Sequence, residues 1–202
     1  MKTNKKYSLL LALIIGMTTN LEAQNFKYGV NAGTNFSVQS ETGDLYNNDD
    51  IKQGWHAGIY VNYFLTENLS LQAELNYDQK GSENDNISSN YEYITIPLLA
   101  KWSLGKSNIT PLNFNFYAGS YFGILAGAKR NLKNIENTET IDIKSNSESN
   151  EFGLLGGIGI SYPIKSSSIL LDFRIGLGLN SFDKSDNQIR NKYFGINLGY
   201  EF

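Results

Sequence analysis

The stretch LSLQAELNYDQKG, residues 69–81, sorts its side chains by parity. Leu69, Leu71, Ala73, Leu75 and Tyr77 are apolar, and Ser70, Gln72, Glu74, Asn76 and Asp78 between them are not. A period of two belongs to a β-strand, whose successive side chains point to opposite faces. One face of this strand therefore meets an apolar environment and the other a polar one. Which of the two is the inside decides the fold.

The pattern recurs along the chain. FKYGVNAGTNF (26–36) sets Phe26, Tyr28, Val30, Ala32 and Phe36 against Lys27, Gly29, Asn31, Gly33 and Asn35. GWHAGIYVNYFL (54–65), YEYITIPLLAKW (91–102), NFNFYAGSYFGILA (113–126), EFGLLGGIGISY (151–162), SILLDFRIGLGLN (168–180) and YFGINLGYEF (193–202) alternate in the same way. Together these make eight strand-like segments of about 10 to 12 residues, and a tilted strand needs about 9 to 11 to cross the hydrocarbon of a bilayer. Connectors after odd segments are mostly long (38–53, 82–90, 127–150 and 180–192), and those after even ones mostly short, such as TEN and PIKSS. Only SLGKSNITPL, residues 103–112, is longer than that rhythm suggests.

The polar rows are rich in Gly, Ser and Asn with isolated charges, and lack the dense Lys and Glu cover of a soluble exterior. Small polar side chains suit the narrow interior of an eight-stranded barrel, which leaves the apolar rows to face lipid. Aromatic residues gather near segment ends (Phe26, Trp55, Tyr63, Tyr77, Trp102, Phe114, Tyr162, Phe202), where interfacial girdles sit. Closure would also pair the backbone groups that hydrocarbon cannot hydrate. The sequence thus predicts an all-β, eight-stranded antiparallel up-and-down transmembrane β-barrel. A soluble exported barrel or sandwich is the competing architecture.

The N-terminal residues agree with export. Lys2, Lys5 and Lys6 precede an uncharged run from Tyr7 to Leu21, and Leu21 and Ala23 stand where a signal peptidase cuts. Residues 1–23 read as a cleaved secretory signal and 24–202 as one outer-membrane barrel domain. The apolar run is too short for an anchor helix, which needs about 20 residues. The chain has no cysteine, so disulfides and thiolate metal sites are excluded. Its net charge of -3 grows more negative once the signal leaves, which gives no footprint for nucleic acid.

YEYITIPLLAKW, FYAGSYFGILAGAK, EFGLLGGIGISY and YFGINLGYEF resemble the PorT-like outer membrane protein beta-barrel family of Bacteroidota. The resemblance runs through the whole of 24–202. It implies an eight-stranded barrel in the outer membrane of a Gram-negative bacterium, in a family mostly without assigned activity whose namesake is linked to a protein secretion and gliding apparatus. No residue pattern carries that role over. The closing Phe202 resembles the C-terminal aromatic by which barrel-assembly machinery recognises its clients.

Seven charges fall on the expected interior face: Lys27, Glu74, Asp78, Lys101, Asp172, Arg174 and Glu201. They read either as a polar path or, more simply, as a packed ion-pair network filling a lumen with little spare volume. Closure would make Lys27 and Glu201 neighbours. His56, the sole histidine, lies near the outer end of the second segment with no Ser or carboxylate partner evident, so a barrel enzyme is a weak alternative. DLYNNDD (44–50) offers oxygens to a hard cation but lacks an EF-hand spacing. No phosphate loop or paired metal ligands appear. The sequence therefore reads as a monomeric, non-enzymatic barrel, with no catalytic, cofactor or metal site, acting through its longer loops. Its partners would be outer-membrane lipids, the assembly machinery during insertion and an envelope protein. An accessory role in an envelope secretion machine and a small-molecule channel are the alternatives.

Overall fold

The computed structural model describes residues 25–40, 51–83, 87–105, 111–133, 138–180 and 190–202. The proposed signal segment and DLYNNDD lie outside them. The strands are β1 (Phe26–Ser40), β2 (Lys52–Phe64), β3 (Leu69–Glu83), β4 (Ile87–Leu104), β5 (Asn113–Lys133), β6 (Thr138–Asp142), β7 (Asn150–Ile164), β8 (Ser167–Gly178) and β9 (Arg190–Glu201). Eight of them pair antiparallel with their neighbours in one ring, β1-β2-β3-β4-β5-β7-β8-β9, which β1 and β9 close. At the seam Val30 lies opposite Tyr200 and Asn31 opposite Gly199, and the Phe202 N–H donates to Tyr28 O at 2.9 Å.

The face question has a definite answer. Leu98, Ile175 and Leu198, in the middle of their strands, are 59%, 61% and 59% exposed, whereas the Lys80 side chain is fully buried. Buried charges line the inside and most aliphatic groups point out around the ring, with Leu99, Leu155 and Leu170 among the exceptions that turn inward. Water does not tolerate so large an apolar surface on a monomer. The barrel is transmembrane. Two aromatic groups mark its edges: Phe26 on Tyr63 and Tyr28 on Phe202 at one end, Trp55 on Tyr77 and Phe36 on Phe194 at the other. The 65–68 and 165–166 turns lie together at the first of these ends.

Glycine and large side chains meet across the ladder inside the barrel. Tyr60 lies opposite Gly29, Tyr117 opposite Gly157, Tyr121 opposite Gly153 and Tyr193 opposite Gly176. In all four pairs a Cβ on the glycine would come within 2.5 Å of the tyrosine ring. These four glycines are the imprint of inward tyrosines lying flat on the neighbouring strand, a pairing that also shields the bare backbone, while Gly33, Gly58 and Gly159 make room in the same way for His56, Asn76 and Asp172.

Three boundaries differ from the sequence reading. The expected 82–90 loop is mostly strand, since β3 runs to Glu83 and β4 begins at Ile87. The 127–150 loop holds the end of β5, the extra strand β6 paired only to β5, and a 3₁₀ turn at Lys144–Asn146. β1 and β9 likewise reach to Ser40 and from Arg190. These extensions stand beyond the hydrocarbon, where no lipid selects apolar side chains on the outer face, so hydropathy no longer alternates while the ladder continues. A bulge at Glu92/Tyr93 shifts the β4–β5 register there, so that Leu125 and Ala128 both turn inward against Tyr91, Tyr93 and Ile143.

Two valine substitutions on β7 test which face is full. Gly153→Val should cost about 1–3 kcal/mol through overpacking against Tyr121. Gly156→Val should be near neutral, because its Cβ would face outward with its nearest contact at 3.7 Å. The temperature at which the folded band is lost in a heat-modifiability gel reads both.

Candidate functional site

The inward row of each strand delivers one or two polar groups at each height, and they form stacked tiers along the lumen. At the mouth beside the 65–68 and 165–166 turns, Lys27 Nζ lies 3.2 Å from Glu201 Oε1, and Asn62 Nδ2 donates to Glu201 Oε2 at 2.7 Å. Lys27 opens β1 and Glu201 closes β9, so the seam itself brings them together. The next tier centres on Glu74, which accepts from Arg174 at 2.8 Å, Asn76 at 2.8 Å and Gln72 at 2.5 Å. Arg174 also reaches Asp172 at 3.6 Å and lies over the Tyr117 ring. A buried carboxylate needs this number of donors to offset the loss of water.

Above it His56 is 3% exposed and turned into the lumen. Its partners fix its tautomer. Asn35 Nδ2 donates to Asp78 Oδ1 at 3.3 Å, so Asn35 Oδ1 is left to accept, and His56 Nδ1 lies 3.1 Å from it. Nδ1 therefore carries the proton and Nε2 accepts. With the Asn197 amide turned accordingly, its nitrogen donates to Nε2 at 2.7 Å and to Ala32 O, while its oxygen accepts from Arg174 at 3.3 Å. Thr95 Oγ1 completes Asp78. The ring is a strut between two amides, with no carboxylate or hydroxyl positioned on it for proton transfer.

The outermost tier was hidden from the sequence reading. Lys80 Nζ lies 2.7 Å from Glu151 Oε2, and both side chains are within 2% of full burial. Tyr121 Oη and Asn191 Nδ2 donate to Glu151, and the rings of Tyr93, Tyr121 and Tyr193 surround the ammonium at 5.2, 4.5 and 4.8 Å. Parity held the signal: Lys80 continues the even row of Glu74 and Asp78, and Glu151 the odd row of Gly153 and Gly157. Beyond this tier the Tyr91, Tyr93, Leu125, Ala128 and Ile143 cluster closes over it.

Of the seven expected lumen charges, the structure joins Lys27 to Glu201 and Glu74 to Arg174 and Asp172. Asp78 is held by amide and hydroxyl donors. Lys101 is 6% exposed, with no hydrogen bond or ion pair among the described residues. Phe202 is half exposed on the outer surface against Tyr28 and Tyr200. Among the described residues no three His, Asp or Glu side chains are grouped to hold a metal.

A family model described as outer membrane protein beta-barrel domain matches residues 22–184. Among solved structures the chain is similar to a major outer membrane protein of Thermus thermophilus, at 12% identity and a TM-score of 0.53, over 88% of this chain and 98% of the other. Neisserial surface protein A is similar at 14% identity and a TM-score of 0.49, over 87% and 97% of the two chains. The attachment invasion locus protein Ail of Yersinia pestis is similar at 12% and 0.47, over 88% and 99%. At such identities the Thermus likeness speaks for the fold alone. No curated protein matches the chain significantly.

Breaking the outer tier should be costly. Lys80→Met leaves Glu151 buried without its cation, an effect of about 3–5 kcal/mol, and Lys80→Met/Glu151→Leu should recover most of it. Lys27→Met, at a pair whose lysine is 40% exposed, should cost less than about 1 kcal/mol. Thermal denaturation in detergent compares the three.

Proposed function

The chain belongs to the outer membrane protein beta-barrel domain family, and from its filled lumen we propose that it is a non-enzymatic, non-conducting interaction protein of the outer membrane. One observation carries this reading. The Lys80–Glu151 tier is sealed from water on every side, and a through-channel would have to wet it. What remains for contact with other molecules lies at the two ends. Short turns face the periplasm in such barrels, so the end opposite the 65–68 and 165–166 turns is the outer one, and there β5 and β6 rise beyond the lipid belt and expose Lys129, Arg130 and Lys144. An interaction role with an envelope protein rests on that display.

The finer kinship proposed is PorT-like, on the four stretches that resemble that family, and an accessory role in an envelope secretion machine is the form that kinship would give. The amide partners of His56 weigh against a barrel enzyme. Export through residues 1–23, a monomer bounded by outer-membrane lipids and recognition of Phe202 by assembly machinery complete the proposal. Phe202→Asp should then reduce the membrane-inserted fraction, and wild-type levels in the outer membrane would count against that step.

Two measurements test the main reading. In planar bilayers the purified barrel should give no steady unit conductance, and open events of regular size would sink the non-conducting claim. Because the chain has no cysteine, Lys144→Cys and Glu67→Cys place single thiols at the two ends. On intact cells an impermeant maleimide should label the first and spare the second. The reverse result would turn the proposed display toward the periplasm.

A further inference from the structure

The periplasmic end of the lumen contains a cavity of about 470 Å³ that none of the tiers fills. Lys101 and Asn115 line it from adjacent strands, where Lys101 lies opposite Tyr117 and Ser103 opposite Asn115. The two inward side chains are therefore diagonal neighbours, within reach of a long lysine. Both carry unused donors. Lys101 is 6% exposed and makes no hydrogen bond or ion pair among the described residues. Asn115 is 1% exposed; its Oδ1 accepts from Ser103 Oγ at 2.8 Å, and its Nδ2 has no partner among the described residues.

The nearby acids do not supply the missing charge by contact. Glu201 is engaged by Lys27 and Asn62, and Asp172 by Arg174. A buried cation without a partner is costly, and the usual remedy is a counter-charge with hydrogen-bond acceptors. The cavity is lined by Lys27 and Glu201, which pair with each other, by Glu67 from the exposed 65–68 turn, and by the Ser161 and Ser168 hydroxyl side chains, and into this space, far larger than a water and open to the periplasm, face the Lys101 ammonium and the Asn115 amide N–H. With Lys27 and Glu201 joined to each other, the Lys101 ammonium is the cation of this cavity without a contact partner among the described residues, and one negative group would meet it. Two oxygens accept from the ammonium and the amide together, as a carboxylate does.

We propose that this vestibule is a carboxylate-binding site, with Lys101 Nζ and Asn115 Nδ2 as its anchoring donors. The carboxylate is that of a small free acid or of a peptide C-terminus reaching in from the periplasm. The inference is independent of the outer display, since it concerns the opposite end of the barrel.

The test is an NMR titration of the refolded barrel in detergent, following the Asn115 side-chain amide. Sodium acetate should shift it saturably, while acetamide and sodium chloride at equal concentration should not. Lys101→Met should weaken acetate binding at least tenfold. In acetate-free buffer the same variant should unfold at a higher temperature than wild type, because it removes an unpaired buried charge. A lysine serving only as a structural ion-pair partner would give the opposite sign. N-acetyl-glycylglycine binding at least tenfold more tightly than acetate assigns the site to a peptide C-terminus, and equal affinities assign it to a small free acid. A non-saturating shift, an equal response to chloride, or acetate affinity unchanged in Lys101→Met would overturn the proposal. The wild-type comparison of acetate with acetamide decides even if the variant does not refold.

Discussion

Everything in this barrel follows from the seam between β1 and β9. Hydrocarbon offers no partner to a backbone N–H or C=O, so a sheet that enters it must have no edge. The register from Gly29–Glu201 to Ser40–Arg190 removes that edge along twelve consecutive residue pairs. Closure then fixes the sidedness of every other strand, because one inward residue at the seam sets the parity of the ring. It also sets the lumen's chemistry. Lys27 and Glu201 share its mouth only because the first strand is laid beside the last.

A closed ring of eight strands leaves an interior too narrow to be filled at random. This chain fills it by setting large against small across the ladder. Tyrosine rings lie over glycines, and the Asp172 carboxylate lies so close to Gly159, its cross-strand partner, that a Cβ there would meet its Oδ1. The glycines create the room that lets tyrosines reach the axis, and the tyrosines in turn surround the ammonium of Lys80. Polarity and packing are therefore one arrangement. The outermost ion pair can be dry because aromatic faces enclose the ammonium beside its carboxylate, while a phenol and an amide N–H donate to that carboxylate.

How much of this was legible depends on where the residue stands. Within the hydrocarbon, parity alone assigned the faces of Leu69–Asp78 and of Tyr193–Phe202, because lipid and lumen impose opposite demands on alternate positions. Beyond the aromatic girdles that contrast vanishes. The polar ends of β3, β4 and β5, and β6 entirely, looked like loops although their ladders continue. The inward tyrosines were equally obscure, since Tyr60, Tyr117 and Tyr121 stand in the polar row and Tyr28 and Tyr200 in the apolar one. Only the glycine opposite each inner ring distinguishes them, and that pairing needs the register. Parity set His56 in the polar row of its segment, but the amides of Asn35 and Asn197 that hold it come from other strands and needed the register.

The tiers are not equivalent along the axis, and the difference bears on what the barrel can do. Toward the outside, Glu151 has a cation, a phenol and an amide, and the lysine has three rings and a carboxylate. Satisfied to that degree, the outer tier is a plug, and it has little affinity left to offer. Toward the periplasm, Lys101 and Asn115 have donors to spare beside a cavity that periplasmic solutes can reach. A lumen built only for stability would place an unpaired charge at the mouth, where bulk water solvates it. Holding Lys101 back behind that mouth, at 6% exposure, makes sense for a group that meets its partner by admitting it.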